Sequence, residues 1–202
     1  MDAQNFEQTR QYALHRLEQE LSPKLTYHGI THTRDDVVPA VKSLAGMEGI
    51  QGESLYLLLT AAWFHDLGFI EQPLYHELIS ARIAVQVLPD FGYTTDQVEI
   101  IRWAILATAL PQSPTTLLEE VLTDADLDVL GRDDFMSRNG NLRRELAFFG
   151  KDHSDIEWYT GQLKFVEAHT YFTSSAHTLR DAGKLKNIAD LKHVLAELGM
   201  GK

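Results

Sequence analysis

An all-α domain is the fold class this sequence predicts, and three observations predict it. The apolar composition favours helix: 28 Leu and 18 Ala stand against 20 Val plus Ile, and Leu and Ala are strong helix formers while β-branched residues favour strands. Punctuation is sparse, with 13 Gly and 6 Pro in 202 residues. Apolar residues recur at steps of three and four, and no run alternates as a half-buried strand would. At this length one domain is expected. It is long enough to bury a core without disulfides. The reading is a single domain over residues 1–202, built of eight to ten helices.

Residues 3–21 form the first helix, with Phe6, Ala13, Leu14, Leu17 and Leu21 on one side; Ser22-Pro23 stops it. A second helix covers about 31–46, where Pro39 kinks it or shortens its first part. Residues 53–66 are almost continuously apolar from Leu55 to Phe64, the mark of a buried central helix. Gly68 is positioned to cap its C-terminal end. A helix over 74–88 closes at Pro89-Asp90-Phe91-Gly92. Thr94-Thr95-Asp96-Gln97 reads as a capping box opening a helix to about 109. Helix 115–130 ends at Gly131. The next covers 133–149, interrupted near Asn139-Gly140-Asn141. Ser154-Asp155-Ile156-Glu157 is a second capping box, opening a helix to about 172, and 174–198 is the last. The three tryptophans, Trp63, Trp103 and Trp158, read as core residues.

Composition excludes several function classes. There is no cysteine, hence no disulfide framework, no thiolate metal site and no thiol nucleophile. Lys plus Arg total 18 against 29 Asp plus Glu, a net charge of −11, which argues against binding a nucleic-acid polymer. No apolar run approaches the roughly 18 residues of a membrane span, and the N-terminal residues carry no signal-peptide pattern. A cytoplasmic location is expected, with no membrane partner.

The residues that carry chemistry are histidines beside acids. His65-Asp66 ends the most buried helix, between Ala61-Ala62-Trp63-Phe64 and Leu67-Gly68. An imidazole and a carboxylate buried together need a partner, either each other or a metal ion. Upstream lies Tyr27-His28-Gly29-Ile30-Thr31-His32, with His32 opening a helix and His28 four residues before it. Downstream, Asp124, Asp126 and Asp128 alternate in a segment whose Leu122, Leu127 and Leu130 mark it as partly buried.

This ordered set, His32, then His65-Asp66, then Asp126, resembles the HD superfamily of metal-dependent phosphohydrolases. The flanking stretches HTRDDV, AAWFHDLGF and DADLDVLGR are similar too. The resemblance implies an all-α fold and a divalent metal held by His32, His65, Asp66 and Asp126. Asp126 is taken rather than Asp124 because Ala125-Asp126-Leu127 aligns with the family's Ala-Asp-x-Leu element. Such a donor set suits Mn, Fe, Co, Ni, Zn or Mg without selecting among them. The resemblance further implies hydrolysis of a phosphoester by a metal-bound water, with Asp66 both ligating the ion and orienting that water. The metal-site motifs fall within 28–131, and helices over 133–198 complete the bundle.

Tyr75-His76-Glu77-Leu78-Ile79-Ser80-Ala81 looks like the family's His-Glu-x-x-Ser-Ala element. His76 is thereby a candidate general acid or phosphate ligand, and Glu77 a candidate to hold it or the water. His28 is a candidate substrate-binding residue. Relatives with two metals carry a further His near Ile105–Ala109, where this chain has Thr108, so one metal is expected. His169, Thr173, His177, Arg180 and Lys184 recur at three- or four-residue steps, and Arg180 with Lys184 would suit a phosphate clamp. The substrate class expected is a nucleotide or a small phosphorylated metabolite. Two rivals stand beside this reading: a diiron oxygenase on the same scaffold, and a non-catalytic ligand-sensing or interaction module that retains a structural metal.

Overall fold

Eight consecutive buried side chains, Leu57 through Phe64, identify the helix around which the metal-site motifs are arranged. The computed structural model describes residues 3–200. Among these it contains nine α-helices and no strand, so the expected all-α fold is the observed one. Among the described residues no helix is long and apolar enough to cross a membrane. The chain divides between Asp126 and Leu127 into two compact units.

The first unit contains α1 (Ala3–Glu20), α2 (Val38–Met47), α3 (Gly52–Phe64), α4 (His76–Val87), α5 (Thr95–Ala107) and α6 (Leu117–Asp126). Helices α1, α2, α5 and α6 all pack on α3, which is why α3 has no polar face over its last two turns. The capping box at α5 forms as expected: Thr94 Oγ1 accepts from the Gln97 amide, and Gln97 Oε1 accepts from the Thr94 amide. The helix expected over 31–46 is two pieces. His32–Val37 is a π-helical turn and α2 follows it, with Pro39 in the first turn of α2. Proline lacks an N–H and its ring crowds the carbonyl four residues back, and the wider π turn relieves that crowding.

Gly68 does not cap α3 in a left-handed conformation. It lies in a 3₁₀ turn, Leu67–Ile70, and its role is close approach: a Cβ there would sit 2.1 Å from the His76 carbonyl oxygen. Trp103 is a second departure. Trp63 and Trp158 are buried, but Trp103 is half exposed, with the Arg102 guanidinium 4.6 Å above its ring.

The second unit contains α7 (Phe135–Phe148), α8 (Asp155–Ala168) and α9 (Ser174–Met200). The helix expected over 115–130 stops at Asp126, and a separate 3₁₀ turn, Asp128–Gly131, packs against α9. There the backbones touch: a Cβ on Gly183 would lie 2.0 Å from the Gly131 carbonyl oxygen. The expected interruption near Asn139 does not occur. Asn139 is buried in an unbroken α7, accepting from Trp158 Nε1 at 2.7 Å and donating to Gln162 Oε1, so tertiary bonding overrides its weak helix propensity. The capping box at Ser154 and Glu157 forms as expected. Helix α8 ends at Ala168 and α9 begins at Ser174, so His169 and Thr173 do not share a helical face with His177, Arg180 and Lys184.

Candidate metal centre

The centre begins where α3 ends. His65 keeps helical backbone angles, while Asp66 leaves them, at φ −107° and ψ 6°. Adjacent side chains therefore turn toward one spot instead of diverging by the usual 100° per residue. The His65 ring is oriented from behind: Nδ1 donates to the Ala62 carbonyl at 2.7 Å. That bond orients the ring and directs Nε2 inward, toward Asp66 and Asp126.

Two further elements converge on this pair. The π-helical turn places His32 Nε2 3.7 Å from Asp66 Oδ2. The C-terminal end of α6 brings Asp126 Oδ1 to 3.1 Å from His32 Nε2 and 3.4 Å from His65 Nε2. His32, His65 and Asp66 are buried, and their ligand atoms lie within 4.8 Å of one another, so the cluster can bind a metal ion. Asp124, two residues before Asp126, is fully buried on α6.

Whether these groups fit a cation is decided by their unsatisfied atoms. His65 Nε2 and Asp66 Oδ2 are sealed from solvent, 3.3 Å apart, and neither has a hydrogen-bond partner. Such groups are costly to bury unless something pairs them. His32, His65 and Asp66, with Asp126 Oδ1 close to both imidazoles, offer nitrogen and oxygen donors that could hold a divalent cation.

The electrostatics agree. Burial disfavours the charged form of each group, yet the opposite charges win. The carboxylates of Asp126, Asp36 and Asp66 raise His32 to about 9, despite its complete burial. His65 is likewise raised well above the usual imidazole range by Asp66 and Asp126. Asp66 and Asp126 are held below the carboxylate range, against burial, by the two imidazoles. The negative potential at this point attracts protons and metal cations alike.

His76 and Glu77 stand next to the centre. His76 Nδ1 donates to the Pro73 carbonyl at 3.1 Å, which directs Nε2 to within 3.4 Å of Asp66 Oδ1 and 3.5 Å of Glu77 Oε1. Burial lowers the His76 pKa, but Asp66 and Glu77 raise it by more. The Gly68 contact sets this placement, helped by the Gly68 amide donating to Ser80 Oγ at 2.8 Å. His28 lies in a bend rather than a helix, with its ring stacked on Phe69 at 4.4 Å and 5.8 Å from the His32 ring. Phe69 contacts His76 in turn, at 4.0 Å.

Thr108 is buried, and its hydroxyl donates to the Ile105 carbonyl at 2.8 Å. Arg180 and Lys184 belong to the second unit. The Arg180 guanidinium closes on Asp128 with bonds of 2.5 and 3.0 Å, and Lys184 Nζ donates to the His169 carbonyl.

Sequence reasoning did not single out Asp36, Phe69 or the Ala62 carbonyl. Asp36 lies 3.9 Å from His32 Nδ1 and four residues beyond it, so the i, i+4 spacing was a usable signal. Phe69 and Ala62 carried none.

No family model matches the chain, and no curated protein matches it. Among solved structures the chain is similar to one described as a predicted HD superfamily hydrolase, from an uncultured Thermotogales bacterium. The TM-score is 0.64 at 20% identity, covering 93% of this chain and 92% of that one. At that identity the likeness shows the fold, an all-α HD-type domain, and it supports the resemblance carried by the motifs.

Proposed function

We propose that this chain is a metal-dependent phosphohydrolase acting on a nucleotide or a small phosphorylated metabolite. The observation that carries the reading is the convergence of His32, His65, Asp66 and Asp126, with two buried ligand atoms that have no hydrogen-bond partner. A divalent cation held by these four residues would lower the pKa of water and polarise a phosphoryl oxygen.

The chain's own groups take the remaining roles. Asp66 offers Oδ2 to the ligand cluster and Oδ1 toward His76, so one carboxylate can hold a nucleophilic water in register with its neighbours. His76, whose pKa Asp66 and Glu77 raise against the effect of burial, is the group that protonates the leaving alkoxide, and the Pro73 carbonyl fixes which nitrogen it presents. Glu77, 3.5 Å away, favours the charged ring. General acid catalysis of this kind contributes about 10²- to 10⁴-fold.

The test is phosphate release by the purified protein, with Mn, Mg, Co, Ni, Fe or Zn added, across nucleotides and generic phosphoesters. Metal-stimulated release is expected, abolished by Asp66→Ala and reduced about 10²- to 10⁴-fold in kcat by His76→Gln. Failure to release phosphate from any ester, by protein shown to contain its metal, would remove the reading. Metal-dependent oxygen uptake would replace it with an oxygenase.

A further inference from the structure

Among the described residues, both aromatic rings that Phe69 meets are imidazoles. The His28 ring lies 4.4 Å away and nearly parallel, at 17°, and the His76 ring lies 4.0 Å away at 32°. Both border the metal centre: His28 is 5.8 Å from the His32 ring, and His76 Nε2 is 3.4 Å from Asp66 Oδ1. The phenyl ring itself is buried. A phenylalanine that only fills a core has no need of two imidazoles against it.

The three rings arrive from three segments. His28 lies in the bend before the π-helical turn, with Tyr27 edge-on to it at 4.8 Å. His76 opens α4. Phe69 sits in the 3₁₀ turn after Asp66, and its amide donates to the Asp66 carbonyl at 3.1 Å. Backbone bonding thus ties the phenyl ring to a residue of the ligand cluster. The torsion that sets the plane of an imidazole is soft, because rotation about an sp³–sp² bond has broad minima. The Pro73 carbonyl decides which nitrogen His76 presents, but one hydrogen bond does not fix the plane of the ring. Contact with a second aromatic ring restricts that plane, because such pairs prefer defined arrangements.

We propose that Phe69 is a positioning residue for the reaction: its ring, braced by His28, holds the plane of His76 and so sets the direction in which Nε2 meets the leaving oxygen. This role rests on the phosphohydrolase reading, in which His76 protonates the leaving group. Phe69 acts through His76 and moves no proton itself.

Proton NMR of the histidine rings tests the contact. An imidazole against the face of a phenyl ring has its C–H signals moved upfield by the ring current. The signals of His28 and His76, assigned by their loss in His28→Gln and His76→Gln, are expected upfield of that of the exposed His193, in the metal-free protein and with magnesium. They are expected to lose the displacement in Phe69→Leu at the same pH, since Leu is apolar and of similar size but has no flat face.

Kinetics tests the consequence. Misplacing a reacting group by 1 Å can cost on the order of 10²-fold, so Phe69→Leu is expected to lower kcat about 10- to 100-fold in protein that melts as a folded chain. Phe69→Tyr keeps the face and is expected to keep the NMR displacement and most of kcat. In Phe69→Leu combined with His76→Gln, kcat is expected within about twofold of His76→Gln alone, because no acid remains to be positioned.

A wild-type His76 signal no further upfield than that of His193 would overturn the contact, whether or not the variants fold. Unchanged kcat in folded Phe69→Leu, an equal loss in Phe69→Tyr, or a loss that multiplies that of His76→Gln would overturn the role and leave Phe69 a core residue. Hydrolysis insensitive to Phe69→Leu removes the positioning role alone, whereas absence of hydrolysis by metal-loaded wild type removes the phosphohydrolase reading and the role with it.

Discussion

Gly68 and His76 meet backbone to backbone, with room for a hydrogen on the Gly68 Cα and not for a methyl group. A Cβ at Gly68 would lie 2.1, 2.8 and 2.9 Å from the carbonyl oxygen, carbonyl carbon and Cα of His76. None of these atoms can rotate away, so Gly68→Ala must displace the start of α4 from the turn that follows Asp66. The expected cost is about 2–4 kcal/mol, read as a Tm lower by roughly 5–15 °C. Because the displaced residue is His76, kcat is expected to fall further than residual folding explains. A variant with wild-type Tm and kcat would show that the contact positions nothing.

Metal content is expected to be one equivalent per chain, because the Thr108 hydroxyl is turned to the Ile105 carbonyl and brings no nitrogen. At a metal concentration 100 times Kd, binding adds about 2.7 kcal/mol of stability, and removal by a chelator is expected to lower Tm by roughly 5–10 °C. His65→Ala or Asp126→Asn is expected to abolish that difference. Elemental analysis giving two equivalents after dialysis would contradict the single site.

The metal-free protein is expected to lose stability as pH rises through the range set by His32. Its pKa is raised from 6.5 to about 9: burial opposes the charge, but Asp126, Asp36 and Asp66 favour it by more. The folded state therefore holds a proton the unfolded chain releases. Its stabilising effect is complete below about pH 6.5 and gone above about pH 9. Metal ligation needs the neutral ring, so affinity for the ion is expected to rise across the same window. Thermal melts from pH 6 to 9.5, with and without metal, check both slopes; a flat metal-free profile would refute the coupling.

Arg180→Ala is expected to destabilise the protein by about 3 kcal/mol or more. The reason is Asp128, whose carboxylate is 6% exposed and paired with the Arg180 guanidinium. Removing one partner of such a pair leaves a buried charge. Adding Asp128→Asn is expected to recover part of the loss. If Arg180→Ala instead raises KM at unchanged Tm, the side chain belongs to phosphate binding.

The helices were legible in the sequence because each rests on local causes. Apolar spacing, the capping boxes at Thr94 and Ser154, and the unbroken apolar run of α3 act within a few residues and need no partner. The order His32, His65-Asp66, Asp126 was legible for a different reason: with its flanking stretches it resembles the HD superfamily, and the apolar context of His65-Asp66 marked that pair as buried. Tertiary structure alone decided the rest. It brought Asp126, at the end of α6, to 3.1 Å from His32 and 3.4 Å from His65. It kept α7 intact at Asn139, because Trp158 and Gln162 satisfy the amide. It made Gly68 a point of backbone contact rather than a cap, and it bound Arg180 to Asp128 across 52 residues. Each of these depends on what a distant segment brings to within a few ångströms, and helical periodicity records which side of a helix is apolar but not which residue will meet it there.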